Sequence, residues 1–210
     1  MSEIAGEIEW TDNIEAYFKN IGERCYGLCW LHNRCEVRYS SLRNYTDLPV
    51  IILGVLNAAT SVGSGTLFND PKWASVGVGI VALIGSIISA VSSYFKWAAR
   101  SESHRIASIQ YGKLNRWVSV QMRLPRDERL CAIECLKYVK QEFDRLQEIS
   151  PLVAPPIIRE FQQKFGNDKY AAISKPTETN GLEAIEIYKE SMPSMPPPGP
   201  AERLQTLGAE

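Results

Sequence analysis

The sequence predicts an all-α membrane protein with a two-span transmembrane hairpin, a cytosolic helical bundle that contains a coiled-coil repeat, and an extended proline-rich C-terminal tail. Three observations support this fold class. Residues 48–68 and residues 73–95 contain no charged side chain, and each stretch exceeds the roughly 20 residues that a helix needs to cross a bilayer. A heptad repeat precedes the first stretch, and amphipathic helical patterns follow the second.

Residues 1–47 are predicted to form an amphipathic helix that leads into the membrane. Its apolar face repeats at spacings of four and three over four heptads, which is typical of a coiled coil or a long bundle helix. Pro49 lies at the mouth of the first apolar stretch, where we expect a break or a kink. The repeat consists of Ile14, Phe18, Ile21, Cys25, Leu28, His32, Cys35, Tyr39 and Leu42.

Residues 48–95 are predicted to form the transmembrane hairpin, with spans at 48–68 and 73–95. Basic side chains concentrate before the first span and after the second, whereas the connecting turn carries a single one, Lys72. The positive-inside rule therefore predicts that both termini lie on the cytoplasmic or equivalent interior side. Residue types that favour the membrane–water interface mark the ends of the spans. These predicted anchors are Tyr45, Trp73, Tyr94, Lys96, Trp97 and Arg100.

Small side chains recur at every fourth position within the spans, a pattern that lets helix backbones approach closely. The second span has two such faces, so one can pack on the first span and the other on another subunit. We therefore expect a homo-oligomer. The alternative is that the serines of this pattern line a wet pathway through the membrane. The pattern comprises Gly54, Ala58, Ala82, Gly85, Ser86, Ser89, Ala90 and Ser93.

Residues 96–166 are predicted to complete the cytosolic bundle. No proline occurs between the second span and Pro125, so the helix of that span is expected to continue well past the membrane. The apolar face of this extension is assigned to Ile106, Ile109, Leu114, Trp117, Val120 and Leu124. A further helix is expected to start at Pro125 and to end at Ser150 and Pro151. A shorter amphipathic helix follows Pro155 and Pro156 and ends at Gly166.

Residues 167–210 are predicted to form a linker and a proline-rich tail. One short helix is expected at 182–190, and the prolines of 192–200 favour an extended chain. A PxxP recognition segment is one interpretation of these prolines, and a spacer or partner-docking tail is the favoured one. The expected partners are therefore the lipid bilayer, further copies of the chain, and a protein that binds the cytosolic bundle or the tail.

The sequence contains no motif for catalysis or cofactor binding, so we expect neither an enzyme nor a cofactor. A net charge of −1 without a separate basic patch argues against a nucleic-acid partner. Cys25, Cys29 and His32 are weak candidate metal ligands, because they can share one helical side and Cys131 with Cys135 can complete a zinc site. The favoured interpretation is that the cysteines fill helix seams as small apolar side chains, with no metal bound.

The two histidines receive different interpretations. His32 lies on the heptad seam, where a histidine is usually a satisfied core residue that sets register, and a pH-sensitive switch is the alternative. His104 follows the second span in a stretch rich in arginine, serine and glutamate. We expect the His104 side chain to face solvent or lipid headgroups.

The layout resembles the SLATT family, small effectors with two membrane spans that accompany nucleotide-sensing systems. The resemblance covers about residues 12–150. It rests on the helix that contains residues 34–39, on two spans with a minimal turn, and on the helix that carries Lys96, Trp97 and Arg100 out of the second span. It implies a non-enzymatic, oligomeric protein that forms a pore or otherwise perturbs a membrane, and it supplies no catalytic residue.

A structural role is the alternative function. Hairpin proteins of similar layout occur in large DNA viruses that enclose an internal membrane. On that interpretation the chain is a membrane-anchored scaffold that links a bilayer to a larger assembly, such as a minor capsid protein in a virion with an internal membrane. The tail at 167–210 discriminates between the two functions, because a scaffold would need it and an effector would not.

Overall fold

A computed structural model describes residues 9–67, 71–180 and 185 of the chain. All regular structure in these residues is helical, which confirms the all-α class. Short 3-10 turns at Arg126–Glu128 and Asp168–Tyr170 accompany the longer helices. Those helices are α1 (Asp12–Leu67), α2 (Pro71–Phe95), α3 (Trp97–Arg123), α4 (Ala132–Ile149), α5 (Pro155–Phe165) and α6 (Thr177–Asn180).

Three predicted features lie outside the described residues. They are the end of the first span with the first half of its turn at 68–70, the short helix at 182–190 apart from residue 185, and the proline-rich segment at 192–200. The predicted bounds of the two spans otherwise fall within α1 and α2. The chain therefore contains two helices that are long and apolar enough to span a membrane.

Helix α1 has 56 residues and runs without interruption through Pro49, so the expected break does not occur. At 1.5 Å per residue it is about 84 Å long. A proline removes one backbone donor from a helix, and side-chain bonds stabilise the turn before it. Arg43 pairs with Asp47 at 3.1 Å, and the single hydroxyl hydrogen of Thr46 can reach the carbonyl of Leu42 at 3.2 Å or that of Arg43 at 2.9 Å. These bonds hold the helical turn that precedes the proline.

The heptad face of α1 is buried inside the chain, mainly against α3 and also against α5. Phe18, Cys25, Leu28 and Cys35 from this face are at most 2% exposed, and Leu31 beside the seam is fully buried. Other helices of the same chain therefore pack on the face that carries the heptad repeat. The side chains that meet this face from other helices are Ala107, Tyr111, Leu114, Val118, Cys135, Val139, Leu146, Ile157 and Phe161.

The apolar face predicted for α3 is right in part. Leu114 is 4% exposed and Trp117 packs against the core, whereas Ile106, Ile109 and Val120 are 42%, 53% and 57% exposed. Smaller residues share the buried face of α3, and a Cβ on Gly112 would lie 3.3 Å from the sulfur of Cys29. Side-chain size as well as apolarity therefore decides which face of α3 meets α1.

Lys96 separates α2 from α3, where a continuous helix was expected. Its φ of 51° and ψ of 42° are left-handed, a conformation that costs an L-residue about 1–2 kcal/mol. Its amide still donates to the Ser92 carbonyl, and its own carbonyl accepts from Arg100. The rings of Phe95 and Trp97 stack across the joint at 5.4 Å and 4°. These contacts offset the backbone strain, and we call Lys96 the joint.

The helix expected at Pro125 begins later, at Ala132. Tertiary bonds hold the intervening residues outside a helix. The Arg129 guanidinium donates to the Leu124 carbonyl at 2.8 Å and to the Glu15 carboxylate at 2.6 Å. These two bonds cap the end of α3 and fix it to the start of α1. The expected end of the next helix at Ser150 and the bounds of α5 are confirmed.

Packing on the bundle continues past residue 166. The Ser174 amide donates to the Glu23 carboxylate at 2.7 Å, and Pro176 is fully buried against Gly27. Farther on, the Gln162 side chain donates to the Thr179 carbonyl at 2.8 Å. The residues up to Thr179 therefore pack on the bundle rather than forming a linker.

Candidate functional site

The hairpin formed by the second half of α1 and by α2 exposes its apolar surface. None of the residues in the most apolar stretch of either helix is buried in the structure. Val55 and Leu83, for example, are 66% and 62% exposed. Soluble monomers rarely expose a contiguous apolar patch of more than a few hundred Å². This pattern differs from that of a core helix in a soluble protein, whose apolar residues are mostly buried.

A groove of about 590 Å³ runs between the two spans and is lined by the small residues singled out in the sequence. Ala58 is the one predicted packing residue that does not line it. A Cβ placed on Gly54 or Gly85 would meet no atom within 4 Å, so the two helices are not in close contact there. The Ser86 hydroxyl donates to the Ala82 carbonyl of its own helix at 2.8 Å. The predicted role of these residues in oligomerisation stays a prediction.

A polar cluster closes one end of this groove. The Ser92 hydroxyl of α2 donates to Asp47 Oδ1 of α1 at 3.0 Å, while Arg43 holds the other carboxylate oxygen. The Thr46 hydroxyl lies 3.4 Å from the same Asp47 oxygen. We call these four residues the clasp. They join α1 to α2. Asp47 is the last charged residue before the first span, and Ser92 lies shortly before the joint.

The predicted interfacial anchors surround the clasp or mark the opposite end of the hairpin. Tyr45 and Tyr94 are both 80% exposed, and Trp73 is 76% exposed. The Arg100 guanidinium lies 5.9 Å from the ring centroid of Tyr39. Exposed aromatic rings beside basic groups suit a membrane–water interface, and that role also stays a prediction.

Beyond the joint, two histidines meet in the core between α1 and α3. His32 Nδ1 lies 2.9 Å from His104 Nδ1, and the side chains are 1% and 2% exposed. Tyr111 stacks on His32 and Tyr39 stacks on His104, each with ring centroids 5.5 Å apart. The expectation that His104 faces solvent or headgroups is wrong, because α3 turns this residue toward α1. We call these four rings the histidine stack.

Electrostatics make the histidine stack a neutral assembly at pH 7. Burial, reinforced by the charges of the other histidine and of Arg100, lowers the pKa of both imidazoles to about 4. One neutral Nδ1 must then carry a hydrogen and donate, and the other must accept. Burial also raises the pKa of Tyr111 to about 12, and its hydroxyl lies 3.2 Å from that of Ser150. The faces of both imidazoles are covered by rings of the stack.

Four of the five cysteines are buried or partly buried, and Cys131 is exposed. Cys25 and Cys35 are fully buried, and burial raises the pKa of the Cys25 thiol to about 12. The Cys29 sulfur lies 3.6 Å from the Ser108 hydroxyl. Across residues 9–67, 71–180 and 185, no group of three histidine, cysteine or acidic side chains is placed to hold a metal ion. Cys25, Cys29 and His32 are therefore not grouped around a common point in the residues that the structure describes.

Sequence reasoning missed the three polar features that organise this region: the clasp, the joint and the histidine pair. A signal for the pair exists, because His104, Ser108 and Tyr111 follow helical spacing together with buried small residues. The joint has no such signal, since a lysine is not a residue type that favours a left-handed conformation. Neither a protein-family model nor a curated protein nor a solved structure matches this chain.

Proposed function

We propose that this chain is a non-enzymatic integral membrane protein that oligomerises through its spans and forms a pore or otherwise perturbs a bilayer, as its resemblance to the SLATT family implies. The exposed apolar surface of the hairpin carries this proposal. Both termini lie on the cytoplasmic or equivalent interior side. The clasp and the exposed aromatic rings lie at the membrane–water interface.

The energetic argument favours a bilayer over water. Burying one large aliphatic side chain gains about 1.5–3 kcal/mol, so the exposed side chains of the spans together represent on the order of 20 kcal/mol. Folded domains are typically stable by only about 5–15 kcal/mol. A monomer in water would leave more apolar free energy unused than its fold provides. The side chains concerned are Ile51, Ile52, Val55, Leu56, Val62, Val76, Ile80, Leu83, Ile84, Ile87 and Val91.

The groove between the spans supports oligomerisation. Helices associate in lipid through close packing and hydrogen bonds rather than through the hydrophobic effect, and small residues provide the surface. Gly54 and Gly85 have open space beside them in the single chain. A span from another copy can fill that space more closely than a lipid chain can.

Topology and membrane activity test this proposal. Single cysteines at Ser2, Asp70 and Gln205 are introduced into a Cys131→Ser chain, because Cys131 is exposed while the other cysteines are at least partly buried. In sealed vesicles, a membrane-impermeant maleimide is expected to label positions 2 and 205 from one side and position 70 from the other. Labelling of positions 2 and 205 from opposite sides would contradict the hairpin.

The same vesicles report function through release of an entrapped dye. We expect release to rise with the protein-to-lipid ratio, as oligomer formation requires. Vesicles that stay sealed at every ratio, with correct insertion shown by the labelling, would contradict the membrane-perturbing activity and favour the scaffold.

The scaffold remains the second candidate, and the outer face of α3 favours it. Ile106, Ile109 and Val120 form an exposed apolar strip on the bundle that is suited to a protein partner. Electron microscopy of the chain in its native membrane separates the two functions. Isolated rings would support the effector, whereas a repeat that follows a larger lattice would support a protein that links a bilayer to a shell.

A further inference from the structure

A cleft of about 90 Å³ opens between α1 and α5, on the bundle and away from the spans. Its walls are mainly aromatic and interlock edge to face. Trp30 lies 5.5 Å from Phe161 and 5.4 Å from Phe165, and Phe165 lies 5.2 Å from Tyr170, as measured between ring centroids. We call this feature the aromatic cleft. Its remaining lining includes Tyr26 and Gly27.

The aromatic cleft is suited to an apolar group rather than to ordered water. A water molecule needs two to four polar partners, whereas rings and aliphatic carbons form the walls here. The lip is open, because Tyr26 is 63% exposed and Ile173 is 44% exposed. Rigid aromatic rings around an open apolar space are the surface on which extended, proline-rich chains bind.

The chain already places one proline ring beside the aromatic cleft. Pro176 is fully buried, and its Cγ lies 2.5 Å from the position that a Cβ on Gly27 would take. Phe161 is the next neighbour of that position, at 3.6 Å. Because Gly27 has no side chain, the Pro176 ring can pack directly on α1, and the Phe161 ring lies beside the same position.

Three lysines lie around the aromatic cleft, and Glu23 is the one acidic residue of its lining. The Lys164 ammonium lies 5.4 Å from the ring centroids of both Trp30 and Phe165, and Lys169 lies 5.8 Å from that of Tyr170. Lys175 belongs to the lining. The sequence that precedes the proline-rich segment is acidic by contrast. Its acidic residues are Glu183, Glu186 and Glu190.

The proline-rich segment can reach the aromatic cleft. Helix α6 ends at Asn180 and is fixed to α5 by the bond between Gln162 and Thr179. The residues from 181 to 191 can extend up to about 36 Å from that point. The proline-rich segment therefore starts within range of a cleft whose wall includes α5 itself.

We propose that residues 192–200 of the same chain dock in the aromatic cleft. The segment has the sequence MPSMPPPGP, whose prolines lack backbone donors and favour a polyproline II helix. Its rings pack on Tyr26 and Trp30, and the acidic residues before it face the lysines of the rim. The docked tail covers the apolar lip of the bundle, and a partner that binds the tail must first release it.

Photocrosslinking in the full-length chain, reconstituted in nanodiscs, tests this placement. p-Benzoylphenylalanine replaces Tyr26 at the lip, and mass spectrometry locates the crosslinks after irradiation. Benzophenones react readily with methionine, so crosslinks are expected at Met192 and Met195. The matched control carries the probe at Tyr138 on α4, a 40% exposed tyrosine outside the aromatic cleft, and is expected to give no such crosslink.

Variants of the tail and of the rim sharpen the test. Replacing Pro196, Pro197 and Pro198 by serine is expected to reduce the crosslink yield about tenfold, equivalent to about 1.4 kcal/mol. Lys164→Glu is expected to reduce it as well, because the rim then repels the acidic residues. Thr206→Ala, outside the proline-rich segment, is the control and should leave the yield unchanged.

Two results would overturn the proposal. One is a yield at residues 192–200 no higher than that of the Tyr138 control. The other comes from mixing isotope-labelled and unlabelled copies: crosslinks that join the two would place the tail of another subunit in the aromatic cleft. Neither result bears on membrane insertion, because the cleft lies outside the hairpin and the labelling experiment above measures insertion separately.

Discussion

The bundle and the hairpin share one helix, α1, but its apolar side chains are buried in the bundle and exposed in the hairpin. In the first half of α1, Phe18 and Leu31 are fully buried by α3 and the helices beyond it. In the second half, which is the most apolar part of the helix, no residue is buried. Within this chain, high hydropathy therefore marks the stretches that the protein itself does not bury. Periodicity and side-chain size mark the residues that pack on other helices.

Glycine shows the same contrast. In the bundle, a Cβ on Gly27 or Gly112 would press on Pro176 or Cys29, so these glycines make close contacts possible. In the hairpin, Gly54, Gly77 and Gly85 meet nothing within 4 Å. Glycine is already used for packing in the bundle, but in the spans it leaves space that only another molecule can fill.

The largest effect of a single substitution is expected from core truncation in the bundle. Phe18→Ala removes a fully buried ring and should lower the free energy of unfolding by about 3–5 kcal/mol. Leu83→Ala, at a 62% exposed position of the hairpin, should leave that free energy unchanged. Urea unfolding in detergent, followed by near-UV circular dichroism of the bundle, measures both. Equal losses would mean that the two regions form one packing unit.

Acid should destabilise the bundle through the histidine stack. The folded-state pKa of both imidazoles is about 4 and the unfolded value is 6.5, so the unfolded chain binds more protons below pH 6.5. Stability is therefore lost as pH falls from 6.5 toward 4, by on the order of 3 kcal/mol per ring. Unfolding free energies at pH 6.5 and 4.5 measure the loss, and the hairpin should be insensitive.

A matched variant assigns this pH dependence. His104→Gln keeps a hydrogen-bonding group beside His32 but removes one titrating ring, so the change between pH 6.5 and 4.5 should be about halved. Glu15 contributes little in this window, because its usual pKa is 4.5 and hydrogen bonds from Arg126 and Arg129 lower its folded-state pKa to about 2. An unchanged pH dependence in the variant would mean that other groups cause the loss.

A smaller effect is expected when the groove between the spans is filled. Gly85→Leu places a large side chain in the open space and should weaken oligomer association about tenfold, or about 1.4 kcal/mol. Val81→Leu, at another residue of the same groove, changes the volume less and should be milder. Förster transfer between labelled copies in bilayers measures association. Unchanged transfer with Gly85→Leu would place the interface on another face.

The smallest effect concerns the clasp. Ser92→Ala removes the hydroxyl that donates to Asp47 and should cost about 1 kcal/mol. Amide exchange at the end of α2 should become faster, while exchange in the core of the bundle stays the same. Ser103→Ala is the control, because its hydroxyl donates to the Ala99 carbonyl of its own helix. If amide exchange became equally faster in both variants, the clasp would not be what joins the spans.

The sequence allowed the long-range plan to be predicted but not its polar details. Charge-free length indicated the apolar helices, and a sustained 3.5-residue period indicated the face of α1 that contains Phe18 and Leu28, because each pattern repeats over many residues. The pairing of His32 with His104 depends on which face of α3 meets α1. That choice follows from the fit of small residues such as Gly112, which hydropathy does not register. The left-handed conformation of Lys96 depends on the packing of neighbouring rings, and no residue type in the sequence indicates it.

The two connections between hairpin and bundle differ mechanically. Helix α1 crosses from one region to the other without a break. Helices α2 and α3 run beside it and meet at a single left-handed residue, Lys96. Rotation at Lys96 changes the direction of one segment without unwinding either helix. Because α1 continues unbroken beside the joint, such a rotation moves α2 relative to α1. The bond between Ser92 and Asp47 joins the same two helices close to the joint, so this movement would strain it.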